Sequence, residues 1–282
     1  MKLVRFGELG AEKPGIVDSA GKIRDLSVHV PDFTGQYLSP ASLDAIRKID
    51  VSKLPLAPDG VRIGAPVAGT RTFIAIGLNY ADHAKETGQE IPAEPILFNK
   101  AASCICGPFD DVMNPKNSDR MDWECEIAFV IGTRARYVKA AEAEKYIAGY
   151  TICNDVSERR WQMKRNGQWV KGKSAETFGP LGPWLVTPDE LPDPHNLGMS
   201  LDVNGARKQQ GSTSTMIFKI PELLAYVTEF MVLEPGDVIT TGTPPGVGSA
   251  RKPPEYLQVG DVMTLQIEKL GYQRQVVVPF KA

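Results

Sequence analysis

A chain of 282 residues, 42% hydrophobic and 23% charged, has the composition of an ordinary globular protein, long enough for one large domain or a small one beside a larger one. A net charge of −2 without any long basic run gives no sign of nucleic acid or a membrane surface as partner. No stretch approaches a membrane span and residues 1–15 carry no apolar signal core, so a cytoplasmic protein is expected.

Along the chain, "KLVRF" and "GIVDSAGKIRDLS" predict a hairpin turning near Ala20–Gly21. "SPASLDAIRKID" predicts a short helix capped by Ser39, with Pro40 at its first position, or alternatively by Ser42. The Pro- and Gly-rich run "LPLAPDGVRIGAPVAG" reads as a linker, which divides a small N-terminal α+β unit, residues 1–66, from a second domain, residues 70–282. That domain opens on the strand "TFIAIG". A short helix "NYADHAKETG" follows and ends at Gly88, and then come strands in "EPILFNKAAS" and "DWECEIAFVIG". "KAAEAEKYIAG" reads as helical with Gly149 as its stop, "YTICNDVS" as a strand, and "SERRWQMKRNG" as a helix capped by Asp155 or Ser157. Asn204–Gly205 is a type I′ hairpin signal, and "IPELLAYVTEFMVL" is an amphipathic helix with Pro221 at its start. "LEPGDVIT" and "LQVGDVMT" echo one another as two similar turns that each deliver a strand. Short helices among many irregularly spaced strands predict an α+β fold, mainly β; regular βαβ alternation is missing, which argues against a Rossmann fold or TIM barrel.

The stretch "RMDWECEIAFVIG" poses the chemical question. Side chains alternate along a strand, so Glu124 and Glu126 share a face, with Cα atoms roughly 6–7 Å apart. Two like charges in so apolar a segment are costly unless something positive sits between them. Asp155, at the end of "YTICN", reads either as a helix cap or as a third carboxylate. With Glu124 and Glu126 it would make an oxygen site for one hard divalent cation, Mg²⁺, Mn²⁺ or Ca²⁺. The four cysteines form no CxxC pair and read as buried reduced thiols; with only three histidines, a histidine-rich metal site is nearly excluded.

His83 and Glu86 lie three apart on one helical face, as a surface pair or as a carboxylate-oriented general base. Lys171 and Lys173 precede a Gly/Pro turn; either is a solvated lysine or a cation for a developing oxyanion. The loop "TTGTPPGVG", residues 240–248, is a tight turn or an anion-binding loop including Thr243, and it lacks the lysine of a P-loop.

In order, "GLNYADHAKE", "EPILFNK", "DWECEIAFVIG", "YTICNDVSERRWQ", "KSAETFGPLGPW", "DVNGARKQQGSTSTMIFKIPELLAYV" and "LEPGDVITTGTPPGVG" resemble the motifs of the fumarylacetoacetate hydrolase family over residues 70–282. The resemblance implies a curled mixed β-sheet roll with short helices, usually assembled as a homodimer. It implies Glu124, Glu126 and Asp155 as ligands of Mg²⁺ or Mn²⁺, and His83 with Glu86 as a water-activating dyad. Lys173, and not Lys171, matches the lysine near the metal, and Arg159, Gln162 and Thr243 match substrate-contacting positions. Arg160 departs from the pattern, since many relatives carry an acidic residue there.

The substrates so implied are 2-oxo or 2,4-dioxo acids: the carboxylate and 2-oxo oxygen would chelate the cation, hydroxide would attack the 4-carbonyl, and C3–C4 cleavage would leave pyruvate and a second acid. Residues 11–27 and 165–194 are most similar to the branch hydrolysing 2,4-diketo-3-deoxy-L-rhamnonate or -fuconate to pyruvate and lactate. Ureidoglycolate lyase, oxaloacetate decarboxylase and acylpyruvase activities share the scaffold, and a non-catalytic binding protein is the reading from another class.

Overall fold

The computed structural model describes residues 1–281. It is mainly β: an eleven-stranded sheet and a five-stranded sheet enclose one apolar core, and the longest α-helix has 11 residues. In the large sheet the path runs Ile23–Asp25, Lys13–Val17, Lys2–Phe6, Gly179–Val186, Ile147–Asn154, Cys125–Ile131, Val238–Thr240, Phe73–Gly77 and Ile96–Lys100. The second sheet runs Ala206–Ser212, Gly198–Val203, Val262–Ile267, Gly271–Val278 and Val112–Met113. Both sheets are mixed, with Val238–Thr240 parallel to Phe73–Gly77 and Gly271–Val278 parallel to Val112–Met113.

The strand Cys125–Ile131 is buried along its whole length, as its apolar residues on both faces require. Where the sheets meet, the seam is polar. Gln209 accepts from the Cys125 amide at 2.9 Å, Gln273 donates to the Ile152 carbonyl at 2.9 Å, and Gln275 accepts from Asn154 at 3.1 Å. All three glutamines are buried, so each bond fixes one sheet against the other at a cost of roughly 1–3 kcal/mol if left unmade.

Residues 1–66 add strands to the large sheet itself, with Leu3 opposite Leu185. The hairpin turn falls at residues 18–22 with Gly21 at φ 78°, and Ser39 caps the helix Pro40–Arg47 by accepting from the Ser42 amide. The helix Ala81–Thr87 stops at left-handed Gly88, and Asn204 and Gly205 take the positive φ values of their hairpin.

Two boundaries differ from expectation. "AAEAEKY" forms a 3-10 segment, Ala140–Tyr146, and Gly149 is no stop but lies inside the strand Ile147–Asn154. A Cβ there would come within 2.5 Å of the Val186 carbonyl, so the glycine serves strand–strand approach. The helix after "YTICNDVS" begins at Arg159, because Ser157–Glu158 first pair with Met121–Asp122. Its cap is Glu158, which accepts from the Trp161 amide at 2.6 Å; neither Asp155 nor Ser157 caps it. The two "GDV" turns, at Gly236 and Gly260, start strands in different sheets.

Candidate active site

Antiparallel pairing brings the carboxylates together. Glu126 faces Cys153 across the ladder, and the Asp155 amide donates to the Glu124 carbonyl at 2.9 Å. Carboxylate oxygens of Glu124, Glu126 and Asp155 thus lie within 4.8 Å of one another, all three residues buried. Freed from any capping duty, Asp155 turns its carboxylate to this cluster, where Lys173 Nζ donates to Asp155 Oδ2 and Glu124 Oε2, both at 2.6 Å.

The cluster is knit into a wider set of buried charges. Arg159 reaches Glu124 Oε1 at 2.6 Å, Asp122 Oδ2 at 2.7 Å and Gln162 Oε1 at 3.0 Å. Glu126 Oε2 accepts from Thr240 Oγ1 at 2.5 Å and from the Gly242 amide at 2.8 Å. Burial alone would raise the Glu124 pKa, but Arg159 and Lys173 outweigh it and hold the carboxyl at about 2. For Glu126, burial and then the charges of Asp155 and Glu124 all act upward and push it well above the carboxylate range. A hard cation among the three oxygens would reverse that balance, and an all-oxygen, buried donor set suits Mg²⁺ or Mn²⁺.

A cavity of about 380 Å³ opens onto this cluster, and His83, Glu124, Glu126, Arg159, Gln162, Lys173 and Thr243 line it. Glu86 stands behind His83, with Oε2 at 3.0 Å from Nδ1, and is itself held by the Gly246 amide at 3.0 Å. Burial opposes the Glu86 charge, yet the bonds from His83 and Gly246 prevail and lower its pKa. With Nδ1 engaged, Nε2 is the His83 nitrogen left to take a proton. Thr243 is a wall residue whose hydroxyl proton is committed to the Cys125 carbonyl at 3.0 Å. Lys171 and Arg160 do not line the cavity; Arg160 bonds the Asn117 carbonyl and faces Asp119.

Sequence reasoning missed three supporting groups. Asp122 belongs to the same alternation as Glu124 and Glu126, so the run D-x-E-x-E did carry the signal; buried, it accepts from Arg159 and from the Gly248 and Ser249 amides. Lys100, the one buried residue of the strand Ile96–Lys100, sits with Nζ 2.5 Å from Asp155 Oδ1. Trp169 forms a cavity wall with Phe98, ring centroids 5.1 Å apart, and packs so closely on Gly77 that a Cβ there would come within 2.6 Å.

A model of the family described as "Fumarylacetoacetate (FAA) hydrolase C-terminal" matches residues 72–278. A protein of Burkholderia orbicola, named only as a candidate hydrolase, is 55% identical over 276 residues, 98% of each chain. The structure of a fumarylacetoacetate hydrolase from psychrophilic Exiguobacterium antarcticum superposes with a TM-score of 0.88 at 37% identity, over 99% of this chain and 100% of that one. A maleylpyruvate hydrolase from Sphingobium sp. SYK-6, in complex with manganese(II) ion and pyruvate, superposes with a TM-score of 0.83 at 26% identity, over 100% of both chains.

Proposed function

The chain belongs to the fumarylacetoacetate hydrolase family, and from that premise we propose that it is a hydrolase, dependent on Mg²⁺ or Mn²⁺, that cleaves the C3–C4 bond of a 2,4-dioxo acid. One observation carries the proposal: the carboxylate cluster of Glu124, Glu126 and Asp155 reaches, through its two glutamates, the same cavity that His83 lines with Glu86 behind it. Glu124, Glu126 and Asp155 would hold the cation, which when bound supplies Lewis-acid polarisation of a 2-oxo acid.

The chain's own residues do the rest. His83, oriented by Glu86, removes a proton from water, and the hydroxide attacks the 4-carbonyl. As the C3–C4 bond breaks, its electron pair passes to C3 and the 2-oxo oxygen, where the Lys173 ammonium neutralises the growing charge. The proton held by His83 returns to C3, so that one water is consumed and pyruvate and a second acid are released. Arg159 and Gln162 bind the acid's polar groups, and Asp122 holds Arg159 in place.

For the substrate we favour 2,4-diketo-3-deoxy-L-rhamnonate or -fuconate, giving pyruvate and lactate. The segment 165–194 that carries this resemblance supplies Trp169 and Lys173 to the cavity, whose size suits so small an acid. Every residue assigned a role falls in 70–282, which we take as the catalytic domain, with 1–66 accessory to it. The reading places the enzyme in the cytoplasm as a homodimer. Turnover of 2,4-diketo-3-deoxy-L-rhamnonate with Mg²⁺, scored for pyruvate and lactate, tests it. Release of both that stops with EDTA is the expected result; EDTA-insensitive release or none defeats the proposal as stated.

A further inference from the structure

Each carboxylate of the cluster has one oxygen bonded to a group other than Lys173. Glu124 Oε1 is tied by Arg159 at 2.6 Å, Glu126 Oε2 by Thr240 and the Gly242 amide at 2.5 and 2.8 Å, and Asp155 Oδ1 by Lys100 at 2.5 Å. Of the opposite oxygens, Glu124 Oε2 and Asp155 Oδ2 meet Lys173 alone. Glu126 Oε1 has no hydrogen bond among the described residues, although Glu126 is 1% exposed and lines the cavity. The cluster therefore offers one oxygen per carboxylate.

Cations differ in how they use such a set. Mg²⁺ and Mn²⁺ take single oxygens in a tight shell, at about 2.0–2.1 Å for Mg²⁺. Ca²⁺ gathers about six to eight at 2.3–2.6 Å and readily takes both oxygens of one carboxylate. Locking one oxygen of each side chain thus disfavours the larger ion. We propose that Lys100 is the positioning residue that sets this preference, by denying Asp155 a second oxygen to offer. The proposal rests on the cation-dependent reading above.

Lys100 is the decisive lock because it is the least backed up. Glu126 keeps a main-chain donor whatever stands at 240, and the Arg159 fork is anchored a second time on Asp122 and a third on Gln162. Asp155 Oδ1 has Lys100 alone, on a side chain that is 0% exposed, where water cannot take over. The same ammonium donates to the Lys173 carbonyl at 2.5 Å and lies 3.4 Å from that of Val156, so it is fixed from two segments, residues 155–156 and the turn of helix ending at Lys173. Lys100 does not line the cavity, and it acts only through Asp155 and Lys173.

The test is calorimetric titration of the full-length protein with Mn²⁺, Mg²⁺ and Ca²⁺, for wild type, Lys100→Met and Lys100→Gln. Removing a buried positive charge strengthens binding of all three divalent ions alike, so the ratio of affinities separates geometry from charge. The expected result is a wild type that prefers Mn²⁺ and Mg²⁺ to Ca²⁺, and a methionine variant in which that ratio falls about tenfold or more. Glutamine, which retains a donor, lowers it by less, and a fall in the ratio there, in place of one common factor, carries the test if the methionine variant fails to fold. Affinities that change by one common factor, with the ratio intact, overturn the role of Lys100 and leave the hydrolase reading standing. A wild type that binds none of the three overturns both.

Discussion

Two clusters of charge sit in this fold, and they differ in what water can reach. Near the N-terminus, Arg5 grips Asp32 at 2.7 and 3.0 Å, while Arg62 bridges Glu12 at 2.8 Å and Asp110 at 2.6 Å. That is three carboxylates against two cations. At and behind the cavity wall, Asp122, Glu124, Glu126 and Asp155 stand against Lys100, Lys173 and Arg159, again one carboxylate in excess. The N-terminal surplus fades into solvent, since Asp32 and Asp110 side chains are 26% and 21% exposed; those of Asp122 and Asp155 are 0% and 1% exposed. The first cluster is complete and holds the chain together. The second holds a carboxyl, Glu126, that burial and its neighbours keep from ionising, and that gives the cluster an appetite for a cation.

The strongest way to break this contrast is to remove a ligand. Glu126→Gln should weaken Mn²⁺ binding more than about a hundredfold, beyond what loss of a supporting residue costs, with hydrolysis falling in step. Titration of the folded variant checks it; near-normal affinity would mean that the surplus has another purpose. Next in size, His83→Ala should lower kcat for the diketo acid by about 10²–10⁴-fold and leave Mn²⁺ affinity unchanged. Steady-state assays that find undiminished hydrolysis would remove His83 from the mechanism.

The N-terminal cluster should answer in stability instead. Arg62→Met leaves Glu12, whose side chain is 7% exposed, with Arg5 at 3.4 Å and the Gly10 amide at 3.1 Å as its remaining partners. In the native protein burial opposes the Glu12 charge, and Arg62 chiefly restores it, so its pKa is lowered. Urea unfolding of the variant should show a loss of about 1–3 kcal/mol, with cation affinity intact. A change in Mn²⁺ binding would show the clusters to be coupled.

How much of this was legible follows from sequence distance. The alternation around Glu124, the Ser39 cap and the Asn204–Gly205 turn are local, and local chemistry announces them. Lys100 was opaque because its partners stand 55 and 73 residues away, and the bond from Gly246 to Glu86 spans 160. The Asp155 cap was misread for a related reason: only the pairing of Ser157–Glu158 with Met121–Asp122 delays the helix and hands its first turn to Glu158. The N-terminal unit could be seen as a hairpin, but not as a continuation of the large sheet, because Leu3 meets Leu185.

The smallest effect lies outside both clusters and gauges a half-buried titratable group. The Ile220 amide, at the start of the helix Ile220–Phe230, donates to His195 Nε2 at 3.1 Å, so the ring acts as a cap only while that nitrogen is unprotonated. Its nearest carboxylate, Asp193, stands 3.8 Å from Nδ1. Burial, and then the charge of Lys219, lower the His195 pKa below its ordinary value. A lowered native pKa means that the unfolded chain takes up the proton first, so the stability from this cap is complete above about pH 6.5. It is lost as pH falls from there toward the native pKa. His195→Ala should cost about 0.5–1 kcal/mol at pH 8. It should cost progressively less toward pH 5, because the unfolded wild type takes up a proton that its native ring resists. Urea denaturation across that range measures the difference, and a cost that stayed constant or grew on acidification would show that the imidazole is held there by its charge and not by the bond it accepts.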